Sequence, residues 1–356
     1  MSQRSFFFIP DISGFTSFVK QVEIEHSQHI IAELLELIID SDDLGLELAE
    51  VEGDAVFFYQ QDKIPSSDQI LEQARKTYVA FHEHLKAYET RRICPCGACS
   101  SAVNLTLKFI ADAGESQLIS VKGVEKPFGT AVIRAHRLLK NSVASREYVL
   151  LTDEIVDTQV APVTIEGWPD QVEGEDLYDD LGNISYKSIT LSFLQDQVNY
   201  PPKPTAQRLI AKPLTYSIKM HASKNEVFEW LTNMDKRSLW NRDVNFFKYK
   251  KGVLNQHGYK HVCVIGNQSI GFETVTHDFG EGKLVYGEKT TEIPIFKEAT
   301  SYFILEEKDS ITTVNVEFHY QEKPILGFLF KKFMFKKLFA GLQSNMNNLK
   351  ELIESK

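Results

Sequence analysis

A chain of 356 residues exceeds the size at which a single hydrophobic core usually stops growing, so two domains are expected, each long enough to bury a core of its own. With 39 Lys plus Arg against 49 Asp plus Glu the formal charge is -10, which argues against a broad nucleic-acid surface, because phosphate binding needs clustered cations. No stretch reaches the roughly 20 apolar residues of a membrane span, and the opening MSQRSFFFIPDIS lacks a small-residue cleavage site, so a cytoplasmic protein without a transmembrane segment is expected.

In chain order, SFFFIPDI at residues 5 to 12 predicts a buried strand. From Phe15 to Ile39 the apolar residues Phe18, Val22, Ile30, Ile31, Leu34, Leu35 and Ile38 recur at helical spacing. LGLELAEVE and AVFFYQQ predict two strands separated by Gly53 and Asp54, a pair suited to a tight hairpin turn. A helix is predicted over 68 to 89, then a strand pair from NLTLKFIADAG and ESQLISVKG with Gly114 at the turn. GTAVIRAHRLLKNSV reads as a further helix and EYVLLTDEIV closes the pattern. The order is that of a ferredoxin-like α+β layout with additions.

The stretch from Gly167 to Tyr186 is acidic and poor in large aliphatics, and NYPPKPTAQ at 199 to 207 is rich in proline, so 161 to 204 is expected to connect two domains, 1 to 160 and 205 to 356. The second opens with a strand at 214 to 220. Ser223 and Glu226 have the form of a capping box before the helix NEVFEWLTN. Alternating stretches (HVCVIG, SIGFETVTHDF, KLVYGEKT, ATSYFILEEK, ITTVNVEFHY) predict an antiparallel meander, and a long helix follows from about Ile325. Lys331, Lys332, Lys336 and Lys337 alternate there with phenylalanines, as on a membrane-surface helix or on an ordinary closing helix with its lysines outward.

Chemistry enters with two carboxylates. Asp11 ends a strand in FIPDISGFT and Asp54 occupies the turn of EVEGDAVFFY, so pairing of the two strands would bring both to one sheet edge, where they could hold divalent cations against a triphosphate. The two segments resemble the paired motifs of class III adenylyl and guanylyl cyclase catalytic domains, with Ile9 replacing a phenylalanine. The resemblance implies Asp11, the carbonyl of Ile12 and Asp54 as ligands of Mg²⁺ or Mn²⁺, a purine nucleotide as partner, and a homodimer. It continues through KPFGTAVIRAHRLL, where Arg137 falls on the arginine that steadies the transition-state phosphate. Ile133 falls where the family has the asparagine that orients the ribose, and isoleucine cannot donate a hydrogen bond. At the base-reading positions stand Glu50 and Lys126, opposite in sign to the lysine and aspartate of adenylyl cyclases. Glu50 is the guanylyl cyclase residue, and two readings stay open: recognition of guanine, or a salt bridge across an empty pocket. The family resemblance thus implies either an atypical nucleotidyl cyclase or a nucleotide-binding module with little or no turnover.

RRICPCGACSS places Cys94, Cys96 and Cys99 within six residues, close enough to meet one Zn²⁺ or cluster iron, or to act as reactive thiols beside two arginines. A fourth ligand from His82, His84 or a partner chain would complete a metal site. In the second domain, the order strand, helix, meander, long helix, together with the entry ASKNEVFEWL, resembles the START-like, polyketide cyclase/dehydrase superfamily with its helix-grip fold. That implies an apolar cavity for a lipid or other hydrophobic small molecule. His257, His261, His277 and His319 lie in or beside strands without a recognisable catalytic motif. A scaffold using neither pocket is the remaining reading.

Overall fold

Eight consecutive buried positions, Ser5 to Ile12, make Gln3–Ser13 (β1) a central strand rather than a half-exposed one. Phe8 stacks on Phe109 with ring centroids 5.5 Å apart, while Phe7 meets Phe57 at 5.9 Å, so alternate residues of β1 supply both faces of a sheet. A computed structural model describes residues 3–21, 24–156, 167–202, 209–210, 212–323 and 328–355. The chain forms two compact units: Met1–Glu89 with Cys96–Pro201, and Thr90–Pro95 with Pro202–Lys356.

In the first unit β1 is followed by helices Phe15–Gln21 (α1) and Ile24–Asp40 (α2), then the hairpin Glu47–Glu52 (β2) and Ala55–Gln61 (β3). The long helix Ser67–Arg91 (α3) and the short Gly97–Ser101 (α4) lead to Thr106–Val121 (β4) and Val124–Phe128 (β5). Thr130–Arg137 (α5), Tyr148–Thr152 (β6), Asp153–Val156 (α6), Val172–Tyr178 (β7) and Gly182–Thr190 (β8) complete it. The strand order is β2-β3-β1-β4-β6-β8-β7, with β5 paired to β4. β1 is antiparallel to both β3 and β4, while β4 and β6 run parallel, so the sheet is mixed and the fold α+β. On one face Phe7, Ile9, Phe57 and Ile110 pack with Ala131, Ala135 and Leu138 from α5 and the turn after it.

Three expectations change. The strand pair around Gly114 is a single strand of 16 residues, and the turn comes later at Lys122 and Gly123, whose φ values of 53° and 82° suit a tight hairpin. Gly114 is there for packing: a Cβ would stand 2.7 Å from Ala131 Cβ, so the glycine lets α5 lie close on the strand. Thirdly, the stretch expected to connect two domains contributes β7 and β8 to the first sheet. Its acidity is that of an edge strand, with Glu173 and Asp176 among exposed or half-exposed positions, which discourages pairing with other chains. Residues 161–166 and 203–204 of that segment lie outside the described residues.

In the second unit Leu214–Met220 (β9) is followed by Lys224–Thr232 (α7) and Met234–Trp240 (α8). Ser223 caps α7, its hydroxyl accepting the Glu226 N–H at 3.2 Å. Phe246–Lys248 (β10), Lys260–Ile265 (β11), Gln268–Val275 (β12), Leu284–Thr290 (β13), Phe296–Lys308 (β14) and Ile311–Glu322 (β15) form a meander, and Phe328–Glu354 (α9) closes the chain. All seven strands pair antiparallel in the order β10-β11-β12-β13-β14-β15-β9. Met346, Leu349 and Ile353 of α9 share a core with Val227, Leu231, Tyr286 and Val316. The side chains of Lys331 and Lys332 lie outside the described residues. Among the described residues, no helix is long and apolar enough to cross a membrane.

Candidate functional site

The β2–β3 hairpin turns at Gly53, whose φ of 63° favours glycine, and this turn carries Asp54 to the end of β1. Asp11 pairs with Ala55 across the sheet, and the Ile12 N–H donates to the carbonyl of Asp54 at 2.9 Å. The two aspartates therefore share one end of the sheet. Burial raises the Asp11 carboxyl above the usual range; Lys108 opposes this, and the neighbouring charge of Asp54 adds to it. Burial raises Asp54 as well. Lys108, on β4 opposite Asp11, holds its Nζ 3.4 Å from Asp11 Oδ2 and donates to the carbonyl of Leu139 at 2.9 Å. Nothing in the sequence singled out Lys108, because its partnership depends on strand register.

Glu50 of β2 and Lys126 of β5 form an ion pair. Around it stand Glu52 and His136, with His136 Nδ1 3.3 Å from Glu52 Oε2 and its ring edge-on to Phe57 at 4.6 Å. Glu50 and Glu52 share a hydrogen bond that lowers the Glu50 carboxyl and, together with burial, pushes Glu52 up to about 7. A carboxyl raised on folding lends stability that is full below its unfolded value, near 4.5, and lost as pH rises through about 7. The thermal midpoint of the first unit should accordingly carry a component that declines between those limits and flattens in Glu52→Gln. A pH series of melting curves with identical slopes for both proteins would refute the shared proton.

Ile133 lies on α5 with 49% of its surface exposed. Arg137, a turn further on, is exposed and donates to Asp180 Oδ2 at 2.9 Å. The residue after Ile133 is the one most firmly fixed: Arg134 forks onto Asp112 at 2.8 and 2.9 Å and donates to the carbonyl of Ala113 at 2.7 Å, while Thr152 donates to Asp112 at 2.6 Å. Asp112 is fully buried. A charged residue inside the apolar run KFIADAG was a signal that a cation would be found against it, and sequence reasoning passed over it. Arg134 also lines a cleft of about 690 Å³ with Arg4, Ser116, Gly129 and Thr130. This cleft is not beside the carboxylates: Arg4 and Asp11 are seven residues apart along β1, roughly 23 Å at a strand's rise per residue.

At the cysteines, the expected ligand from α3 is not the one the fold supplies. His82 Nε2 stands 3.2 Å from Glu147 Oε1 and His84 Nε2 3.0 Å from Glu33 Oε2, each engaged with a carboxylate. Instead His26 of α2 brings its Nδ1 to 3.2 Å from Cys96 Sγ and 3.6 Å from Cys99 Sγ. Cys94 falls in Thr90–Pro95, the short segment that clusters with the second unit. In that unit Arg237, Glu288, Tyr286 and His261 make a buried polar cluster that no motif announced. His319 accepts from the Ile210 N–H at 3.0 Å, a structural role.

The family described as "Protein of unknown function (DUF2652)" matches residues 31–148. An uncharacterized protein of Mycobacterium tuberculosis is 34% identical over 125 residues, 35% of this chain and 58% of that protein, so the chain spans somewhat over half the length of the curated relative it matches. Among solved structures, the chain is similar to the guanylate cyclase domain of RhGC from Catenaria anguillulae in complex with GTP, at 16% identity and a TM-score of 0.39, over 53% of this chain and 96% of that one. It is also similar to Ara h 8.0201, at 10% identity and a TM-score of 0.33, over 41% of this chain and 99% of that one.

Proposed function

We propose that the first unit is a cyclase-derived module that binds a purine nucleoside triphosphate with a divalent cation, that it has little or no turnover, and that it works as a homodimer. The observation that carries the reading is the meeting of Asp11 and Asp54 at one end of the sheet, on the two segments whose sequences resemble the metal-binding motifs of nucleotidyl cyclases. Two partly buried carboxylates that are less acidic than usual fit a hard cation, since Mg²⁺ and Mn²⁺ take oxygen donors and would relieve the crowding of like charge. Asp11, the carbonyl of Ile12 and Asp54 would hold it, and the cation would neutralise triphosphate charge. Lys108 competes for Asp11.

Low turnover follows from what α5 offers. Ile133 has no donor to align a ribose hydroxyl, and Arg137 is engaged with Asp180. Loss of one preorganised donor is worth on the order of 10² in rate, while metal and triphosphate contacts persist in the ground state. Glu50 and Lys126 present a carboxylate and an ammonium, complementary to the guanine edge, though their ion pair must open for base recognition. The exposed apolar side chains Ile119, Val121, Val124 and Phe128 on β4 and β5 favour pairing with a second copy. For the second unit, the START-like resemblance supports a hydrophobic small molecule as ligand.

The test is calorimetry of the full chain with GTP and ATP in Mg²⁺ or Mn²⁺, run beside a turnover assay. Metal-dependent binding that favours GTP, with turnover rising in Ile133→Asn, is expected. Rapid cyclic-nucleotide formation by the unmodified chain would overturn the low-turnover reading. Absence of affinity for either triphosphate with Mn²⁺ would overturn the binding reading.

A further inference from the structure

Helices α2 and α4 bring soft ligands together. His26 Nδ1 and the Sγ atoms of Cys96 and Cys99 all lie within 4.8 Å of one another, contributed by the first turn of α2 and by the Cys96-Gly97-Ala98-Cys99 stretch that opens α4. A tetrahedral zinc with Zn–S near 2.3 Å and Zn–N near 2.0 Å would set N···S separations at roughly 3.6 Å. The observed 3.2 and 3.6 Å leave only a few tenths of an ångström to adjust. The backbone N–H of Cys99 donates to Cys96 Sγ at 3.4 Å, a bond that stabilises charge on a thiolate and orients it. Cys99 is buried and Cys96 half-buried, so an ion held between them would be largely shielded from water.

We propose that His26, Cys96 and Cys99 bind one zinc ion. One imidazole and two thiolates select zinc over the hard cations that suit the aspartates. The ion would tie the start of α2 to the turn that follows α3, closing a loop of some seventy residues. This assignment is independent of the nucleotide reading, since its ligands are residues other than Asp11 and Asp54.

The experiment is metal analysis of the full chain purified under reducing conditions without chelator, together with cobalt substitution. About one zinc per chain is expected, and the cobalt form should show tetrahedral d–d bands and thiolate charge-transfer absorption. His26→Ala, Cys96→Ser and Cys99→Ser should each lose at least about tenfold in zinc retention against a chromogenic chelator. His82→Ala, His84→Ala and Asp54→Asn should retain it. The cobalt spectrum of the unmodified chain gives an answer even where a variant fails to fold. A chain with four titratable thiols, no zinc and no cobalt–thiolate absorption overturns the proposal, as does a folded His26→Ala variant that holds zinc as tightly as the parent.

Discussion

Glu288→Ala is expected to destabilise the second unit by about 3–5 kcal/mol, a large fraction of the stability of an ordinary domain. Glu288 accepts from Arg237 through both carboxylate oxygens at 2.6 Å, from Tyr286 at 2.6 Å, and has His261 Nε2 3.3 Å away. Arg237 is 3% exposed and Glu288 7%, so removing the carboxylate leaves a guanidinium without a counter-charge in a region water does not reach. Replacing both partners with apolar residues of similar size, Arg237→Met with Glu288→Leu, should cost much less, because nothing charged is then left buried. Burial by itself would raise the Glu288 carboxyl, but Arg237, His261 and Tyr286 outweigh it and hold it well below the usual range. A carboxyl lowered on folding lends stability that is full above its unfolded value, near 4.5, and is lost as pH falls through the folded value. Denaturant midpoints should therefore fall on acidification in the parent and fall less steeply in Glu288→Gln. A Glu288→Ala midpoint equal to that of the parent would show the cluster to be energetically idle.

The second large effect is on ligand affinity. Asp54→Asn should weaken Mn²⁺-dependent nucleotide binding by at least about hundredfold, since a metal ligand charge contributes several kcal/mol to holding a cation against a triphosphate. Asp54 is the better position to test than Asp11, because Asp11 is 9% exposed with Lys108 at 3.4 Å and its loss would strand that ammonium. Lys108→Met should act in the opposite direction and tighten metal binding, by removing the cation that competes for Asp11. Titration of both variants with Mn²⁺ and a non-hydrolysable triphosphate reads the two effects directly. Equal nucleotide affinity in Asp54→Asn and parent, with the fold intact, would sink the assignment of the carboxylate edge as the metal site.

Much of the layout is written locally and could be read from the chain. Period-two alternation along Ile311–Glu322, the capping box at Ser223 and the glycine turn at Gly53 depend on neighbours a few residues away. The meeting of Asp11 and Asp54 was legible for the same reason, since a hairpin beside a central strand leaves its turn at that strand's end. Gly114 and the acidic strand Val172–Tyr178 misled because composition cannot tell a turn from a packing glycine, or a linker from a charged sheet edge. Only the tertiary structure decided the long-range partners: His26 with Cys96 across 70 residues, Arg134 with Asp112 across 22, and Arg237 with Glu288 across 51. Such pairs leave no periodic trace, because their geometry is set by which helix lies on which strand. That choice is made by the packing of whole faces, and it is settled after the local signals have been used up.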